Sequence, residues 1–225
     1  MTNEKVQAIL SGKSQVRYGA NIRAVACYLG ASQKSSALDK TDKRFKQEET
    51  ERLKAYINSR CFWTKDVELD KYVSEGAEQK VYLKDGRSVI KLNDAIYYLS
   101  WTDYFISLLL NNYFFPDTAY KLLGFFEHET TVYAVVEQSF IKATEPTDLK
   151  RGEQFMTSNG FQRIRNNDYF NPQLGIFLED LHDENVLTSN GILYFIDTVF
   201  YLQGDLTPVA LQEGVQGTRY HGLRL

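Results

Sequence analysis

The chain of 225 residues (26.0 kDa) is 43% hydrophobic and 24% charged and carries 14 Phe, 15 Tyr and 2 Trp, which excludes disorder as its main state and provides for a sizeable core. Only 4 Pro and 14 Gly exclude collagen-like and linker-like chains. The net charge of −3 divides unevenly: residues 1–60 hold 12 Lys and Arg against 6 Asp and Glu, net +6, and the remainder hold 14 against 23, net −9. A basic leader ahead of an acidic body can dock on that body or touch nucleic acid. Its cations are dispersed, with no aromatics interleaved, so docking is the expected role and nucleic acid the lesser alternative.

The first residues, MTNEKVQAILSGKSQ, place Glu4, Lys5 and Lys13 around one turn of apolar residues, so no signal-peptide core can be drawn and a cytoplasmic location is expected. VQAIL and NIRAVACYL each suggest a short helix, broken by Gly12, Gly19 and Gly30. The polar stretch SQKSSALDKTDK reads as an exposed loop. From Asp42, a cap candidate, strong helix formers run to residue 60 with Phe45, Leu53, Tyr56 and Ile57 toward one side, which predicts a helix. Cys27 and Cys61 lack metal-ligand spacing and read as buried free thiols, with zinc not expected.

After Phe62 the pattern changes. Residues 73–82 and 88–92 carry β-formers around the turn Lys84-Asp85-Gly86-Arg87, a predicted hairpin. Ser100 or Thr102 can cap the next helix, to residue 115, whose apolar residues cover too much of its circumference for a surface helix. Its uncharged run, 104–115, carries Asn111 and Asn112 and is far short of a membrane span, so no transmembrane helix and no membrane partner is expected. Strands are predicted at 120–127 and 131–141 around His128-Glu129-Thr130, a helix at 147–165 weakened by Gly152 and Gly160, and short strands at 175–177, 186–187 and 192–196, the last two flanking Ser189-Asn190-Gly191.

The segment GIFLEDLHDENVLTSNGILYFIDTVF, residues 175–200, sets Asp180, Asn185 and Asp197 beside short apolar strands. Oxygen ligands of that kind suit Mg²⁺, which keeps several waters and needs only a carboxylate and an amide from the protein when a nucleotide supplies the remainder. A carboxylate not committed to metal can take a hydroxyl proton. The plainer reading of Asp180 and Asn185 is that of turn-stabilising residues. His182 reads as a hydrogen-bonder within the loop, and Asp183 and Glu184 as solvated.

Asp180 to Asn185, followed by Val186 and Leu187, resembles the D-x-x-x-x-N catalytic loop of the protein-kinase-like superfamily, and Asp197-Thr198-Val199 stands where that family has D-F-G. His182 is similar to the D-L-H pattern of aminoglycoside phosphotransferase-like kinases. Upstream, Glu75-Gly76-Ala77-Glu78-Gln79-Lys80-Val81-Tyr82 occupies the place of the glycine-rich strand-turn-strand over ATP phosphates, and Ser88-Val89-Ile90-Lys91 resembles V-A-I-K. The texture is most similar to the kinase-like domain of polyvalent proteins from mobile elements.

The resemblance implies an α+β, protein-kinase-like bilobal fold: a helical N-terminal extension (1–62), an antiparallel N-lobe (63–140) and a reduced C-lobe (141–225). It implies ATP and Mg²⁺ as cofactors, with Gly76 and Lys91 on the phosphates, backbone groups of Glu137, Gln138 and Ser139 as the adenine hinge, Asn185 and Asp197 on the metal, and Asp180 acting on the acceptor hydroxyl of a protein or small molecule. The departures are specific. One glycine stands for three in the lid, the buried helix has no Glu for Lys91, Leu178-Glu179 replaces His-Arg, and 28 residues without A-P-E follow Asp197. They favour, as the alternative function, a pseudokinase that binds nucleotide or a partner protein.

Overall fold

The computed structural model describes residues 3–33, 43–64, 67, 71–75 and 79–204. The expected cap Asp42, most of the polar loop before it, the lid residue Gly76 and residues 205–225 lie outside these. Three helices come first: α1 (Glu4–Ser11), α2 (Gly19–Gln33) and α3 (Lys43–Ser59). Asn3 caps α1 by accepting from the Lys5 amide at 2.8 Å, and Gly12 ends it in the left-handed region at φ 86°. The buried stripe of α2, Ile22, Val25, Ala26 and Leu29, has the 3.6-residue period of an amphipathic helix.

The N-lobe sheet runs β1 (Tyr72–Glu75), β2 (Lys80–Leu83), β3 (Ser88–Asn93), β4 (Lys121–His128) and β5 (Thr131–Ser139), in the spatial order β1-β2-β3-β5-β4 with every pair antiparallel. Asp85 closes the β2–β3 turn, its Oδ1 accepting from the amides of Arg87 at 2.7 Å and Ser88 at 2.9 Å. Glu129 and Thr130, both at positive φ, make the tight β4–β5 turn. The helix α4 (Trp101–Phe114) connects β3 to β4, followed by one 3₁₀ turn, Pro116–Thr118.

No residue of α4 is exposed. Its outer sides are covered by α1, α2 and α3, and Trp101, Tyr104 and Phe105 belong to one core with Leu53 of α3, Phe125 of β4 and Val136 of β5. Its last turn reaches a second core, where Phe114 stacks on Phe200 at 5.6 Å and Leu110 joins Val6 and Ile9 of α1. The buried start of α4 needs acceptors for its free amides. Ser100 Oγ accepts from the Asp103 amide at 3.0 Å. Glu49 of α3, fully buried, accepts from the amides of Trp101 at 2.6 Å and Thr102 at 3.2 Å and from the Thr102 hydroxyl at 2.7 Å. A carboxylate at this end also meets the positive pole of the helix.

The C-lobe holds α5 (Leu149–Ser158), the sheet β11-β8-β7-β6, and the hairpin of β9 (Val186–Ser189) and β10 (Ile192–Phe195). The sheet's strands are β6 (Gln162–Arg165), β7 (Asp168–Asn171), β8 (Ile176–Glu179) and β11 (Val199–Leu202). The expected helix over 147–165 is therefore corrected: Gly160, left-handed at φ 82°, ends α5, and the chain turns back at Asn166 into the hairpin β6–β7, whose second strand pairs with β8. β11 was not foreseen either. The β9–β10 turn uses Asn190 and Gly191 at positive φ, as the sequence predicts. Cys27 and Cys61 are exposed, not buried, because each falls on the solvent side of a helix or turn whose apolar face lies opposite. Among the described residues no helix is long and apolar enough to cross a membrane.

Two predictions follow from the α4 start. Glu49→Ala leaves buried amides without their acceptor and is expected to cost about 2–4 kcal/mol in urea unfolding, with Glu49→Gln costing less because it keeps one accepting oxygen. Equal midpoints for wild type and Glu49→Ala would remove Glu49 from this role. Beside it, Lys46 donates to the carbonyls of Ala95 and Tyr98, and burial lowers its pKa from 10.5 to about 8 despite the attraction of Asp94, Glu49 and Asp103. A base whose pKa is lower folded than unfolded binds fewer protons in the native state between those two values, so its penalty is full below about pH 8 and is relieved as pH rises toward 10.5. Relative to Lys46→Met, the wild type should gain up to about 3 kcal/mol across that window. A flat difference between the two proteins would contradict the burial of a charged Lys46.

Candidate active site

Lys91 sits at the centre of β3, paired in register with Val81 and Val136, and its side chain is 3% exposed. A buried ammonium requires a partner. It is Asp197 Oδ1, from the junction of β10 and β11, and the Tyr120 ring lies 5.5 Å from the same Nζ. Two further donors reach that carboxylate oxygen: Gln79 Nε2 at 2.5 Å, from the start of β2, and the Tyr120 hydroxyl at 3.1 Å, from the start of β4. Burial, with the charge of Asp197 adding to it, holds the Tyr120 phenol well above its ordinary value of 10.0, so it stays a neutral donor.

Asp180 follows β8 directly and Asp197 follows β10, both left-handed at φ 67° and φ 53°, a conformation Asp and Asn tolerate better than other side chains. Asp168 Oδ1 accepts from the Asp180 amide at 3.2 Å. Between the two acids, Asn185 Nδ2 donates to Asp180 O at 3.0 Å and to Asp197 O at 3.4 Å, and Asn185 O accepts from the Ile196 amide at 2.8 Å. One amide side chain thus ties together the backbones that carry both carboxylates. His182 bonds within the loop, its Nδ1 accepting from the Glu184 amide at 3.3 Å, and Asp183 and Glu184 are exposed.

Lys91, Asn185 and Asp197 are thus linked in one chain of bonds that Asp180 joins through its backbone carbonyl, and Asp197 lines a small cleft with Gln79, Tyr120 and Thr198. The Asn185 Oδ1 and Asp197 Oδ2 atoms accept no hydrogen bond from the described residues. That donor set, one amide oxygen and one carboxylate oxygen beside a buried ammonium, fits a hard divalent cation that keeps water and phosphate ligands. It is not a closed metal cage: among the described residues no group of three or more His, Cys, Asp or Glu is gathered for a metal.

The residues expected at the hinge end β5. Glu137 pairs with Ile90 on one side and Lys121 on the other, and its carboxylate meets Lys84 at 2.9 Å. Gln138 is buried and donates to Thr118 O at 2.8 Å, while Ser139 is exposed at the strand end. Beyond it, residues 140–148 lead into the C-lobe, with Thr144 N bonding Thr188 O at 3.0 Å. Gly76 lies outside the described residues.

Sequence reasoning missed Gln79, Tyr120, Asn111 and Asn112. Asn112 of α4 holds Tyr120 by both backbone groups, accepting from its amide and donating to its carbonyl, each at 2.7 Å. Asn111 accepts from the Thr198 hydroxyl at 2.8 Å, and Ser107 from the Phe200 amide at 3.0 Å, so α4 grips the chain on the far side of Asp197. Two adjacent amides in a helix otherwise built for burial were the available signal, since a buried Asn needs partners.

A five-stranded antiparallel sheet with one helix between its third and fourth strands, facing an Asp-x-x-x-x-Asn loop and a second Asp, defines an α+β kinase-like domain. Residues 46–204 match the family described as Serine/Threonine/Tyrosine Kinase found in polyvalent proteins, and the chain belongs to that family. No curated protein and no solved structure matches the chain. The matched segment opens inside α3, ahead of the Glu49 that closes the start of α4.

Proposed function

We propose that the protein is an ATP-dependent phosphotransferase that moves the γ-phosphate to a hydroxyl of a protein or small molecule. The observation that carries this reading is the bond from Lys91 to Asp197, with Asn185 tying the backbones of Asp180 and Asp197 together, in a chain of the kinase family. Bound there, Mg-ATP supplies an electrophilic phosphoryl group whose charge the metal offsets. Lys91 neutralises phosphate charge from the floor of the cleft. Asn185 Oδ1 and Asp197 Oδ2 hold the cation, and Gly76 and the end of β5 at Glu137, Gln138 and Ser139 hold the nucleotide's other parts. Asp180 orients the acceptor hydroxyl and takes its proton. Rate enhancement in such a site comes from positioning and charge neutralisation.

A second reading, a pseudokinase that binds nucleotide without transfer, is favoured by one observation: α4 offers Lys91 no carboxylate. The variants separate the two. Mg-ATP should raise the melting temperature, since a ligand of the native state alone stabilises it. Asp197→Asn should abolish the magnesium part of that shift and keep most of the nucleotide part, and Lys91→Ala should weaken ATP more than adenosine. Asp180→Asn should leave Mg-ATP affinity by calorimetry near wild type and lower release or transfer of labelled γ-phosphate by about 10²-fold to 10⁴-fold. Tight Mg-ATP binding with no turnover in the wild type, across protein and small-molecule acceptors, would favour the pseudokinase. A wild type that takes up no nucleotide with Mg²⁺ or Mn²⁺ would reject the reading altogether.

A further inference from the structure

A lysine that meets phosphate needs to be held in place before the phosphate arrives, and the acid beside it needs to keep its geometry afterwards. The helix α4 carries one acid, Asp103, and that carboxylate is engaged with Ser100 Oγ at 2.6 Å at the start of the helix. The side chains that α4 turns toward the cleft, Tyr104 and Leu108, line it together with Gln79, Tyr120, Asp197 and Thr198. Asp197 alone, among the described residues, pairs with Lys91.

Asp197 Oδ1 is held by three donors: Lys91 of β3, Gln79 just before β2 and Tyr120 just before β4. Two of the three are neutral. If Lys91 turns to a phosphate, those two hydrogen bonds remain, and rotation of the carboxylate would have to break both. We propose that Gln79 and Tyr120 are positioning residues that stand in for a helix carboxylate: they lock the Asp197 carboxylate through Oδ1 and so keep Oδ2 presented to a cation whether or not Lys91 is paired with it. This inference rests on the reading of the cleft as a magnesium–nucleotide site.

Two further contacts support it. The Tyr120 ring lies 5.5 Å from Lys91 Nζ, so one residue contacts both members of the pair. Tyr120 is itself held from behind, its amide and carbonyl both bonded to Asn112 of α4. Second contacts of this kind, which orient a ligand without touching the metal, govern metal affinity.

The test is a Mg²⁺ titration of the full chain at saturating ATP, read by thermal shift and calorimetry, beside ATP binding in EDTA and adenosine binding. The variants are Tyr120→Phe, which keeps the ring and removes the hydroxyl, and Gln79→Leu, which removes the amide. Each should raise the Mg²⁺ concentration for half effect by about tenfold, while ATP in EDTA and adenosine bind as in wild type. A merely structural role would move all three arms together. Unchanged Mg²⁺ dependence in both variants, or equal weakening of Mg-ATP and metal-free ATP, would overturn the clamp while the reading of the cleft stands. A wild type that binds no nucleotide overturns both. Should Tyr120→Phe fail to fold, Gln79→Leu, at a half-buried position, carries the comparison alone.

Discussion

A helix with no exposed residue sets the conditions for everything else in this protein. α4 must be enclosed on all sides, and an N-lobe sheet covers only one of them. The remaining sides are closed by three helices that precede the sheet in the chain and by β11, which follows the site. Enclosure then raises a second demand, because the free amides at a buried helix start cannot be left to water. Glu49 meets it, reaching across from α3, and its charge is offset by the hydrogen bonds it accepts and by the helix pole it faces. The N-terminal helices are thus part of the core of the kinase-like domain. Val6 and Ile9 of α1 share a cluster with Phe200 and Ile176 of the C-lobe.

The same helix also determines the form of the site. In place of a charged side chain aimed at Lys91 it presents polar groups that grip the backbone around it: Asn112 at Tyr120, Asn111 at Thr198 and Ser107 at Phe200. The Lys91 ammonium, buried on β3, finds its counter-charge in Asp197 and its packing in the Tyr120 ring. A helix fixed by buried hydrogen bonds at both ends has little freedom to swing. The chain passes from Asp197 through Thr198 straight into β11, which pairs with β8. No segment lies between them to fold over the cleft.

The C-lobe follows from what the loop after β8 requires. Asp180 and Asp197 are both left-handed, and such a conformation persists only when its surroundings enforce it. The β8–β11 pairing sets the two acids at the ends of neighbouring strands, and Asn185 bonds the carbonyls of both. The sheet β11-β8-β7-β6 and the β9–β10 hairpin hold that loop with few helical residues.

Features whose cause lies within a few residues were legible in the sequence. The five-residue spacing from Asp180 to Asn185 closes a local turn, Asn190-Gly191 makes a turn by its own backbone preferences, and the apolar circumference of α4 announces its burial. The motif order carried the kinase resemblance for the same reason, since each motif is a short run with its own geometry. Features whose cause is a distant partner were not legible. Gln79, Lys91 and Tyr120 lie 118, 106 and 77 residues from the Asp197 they converge on. Glu49 looked like one more acid in a charged helix until α4 was laid against it. QRIR became a strand instead of a helix end because DYFN, itself paired with β8, offered it an edge, and Cys27 and Cys61 took the side of their elements that packing left to solvent. A local sequence determines which turns and faces are available, and only the tertiary contacts decide which polar group satisfies which, because the free energy of a buried hydrogen bond or ion pair belongs to both partners at once.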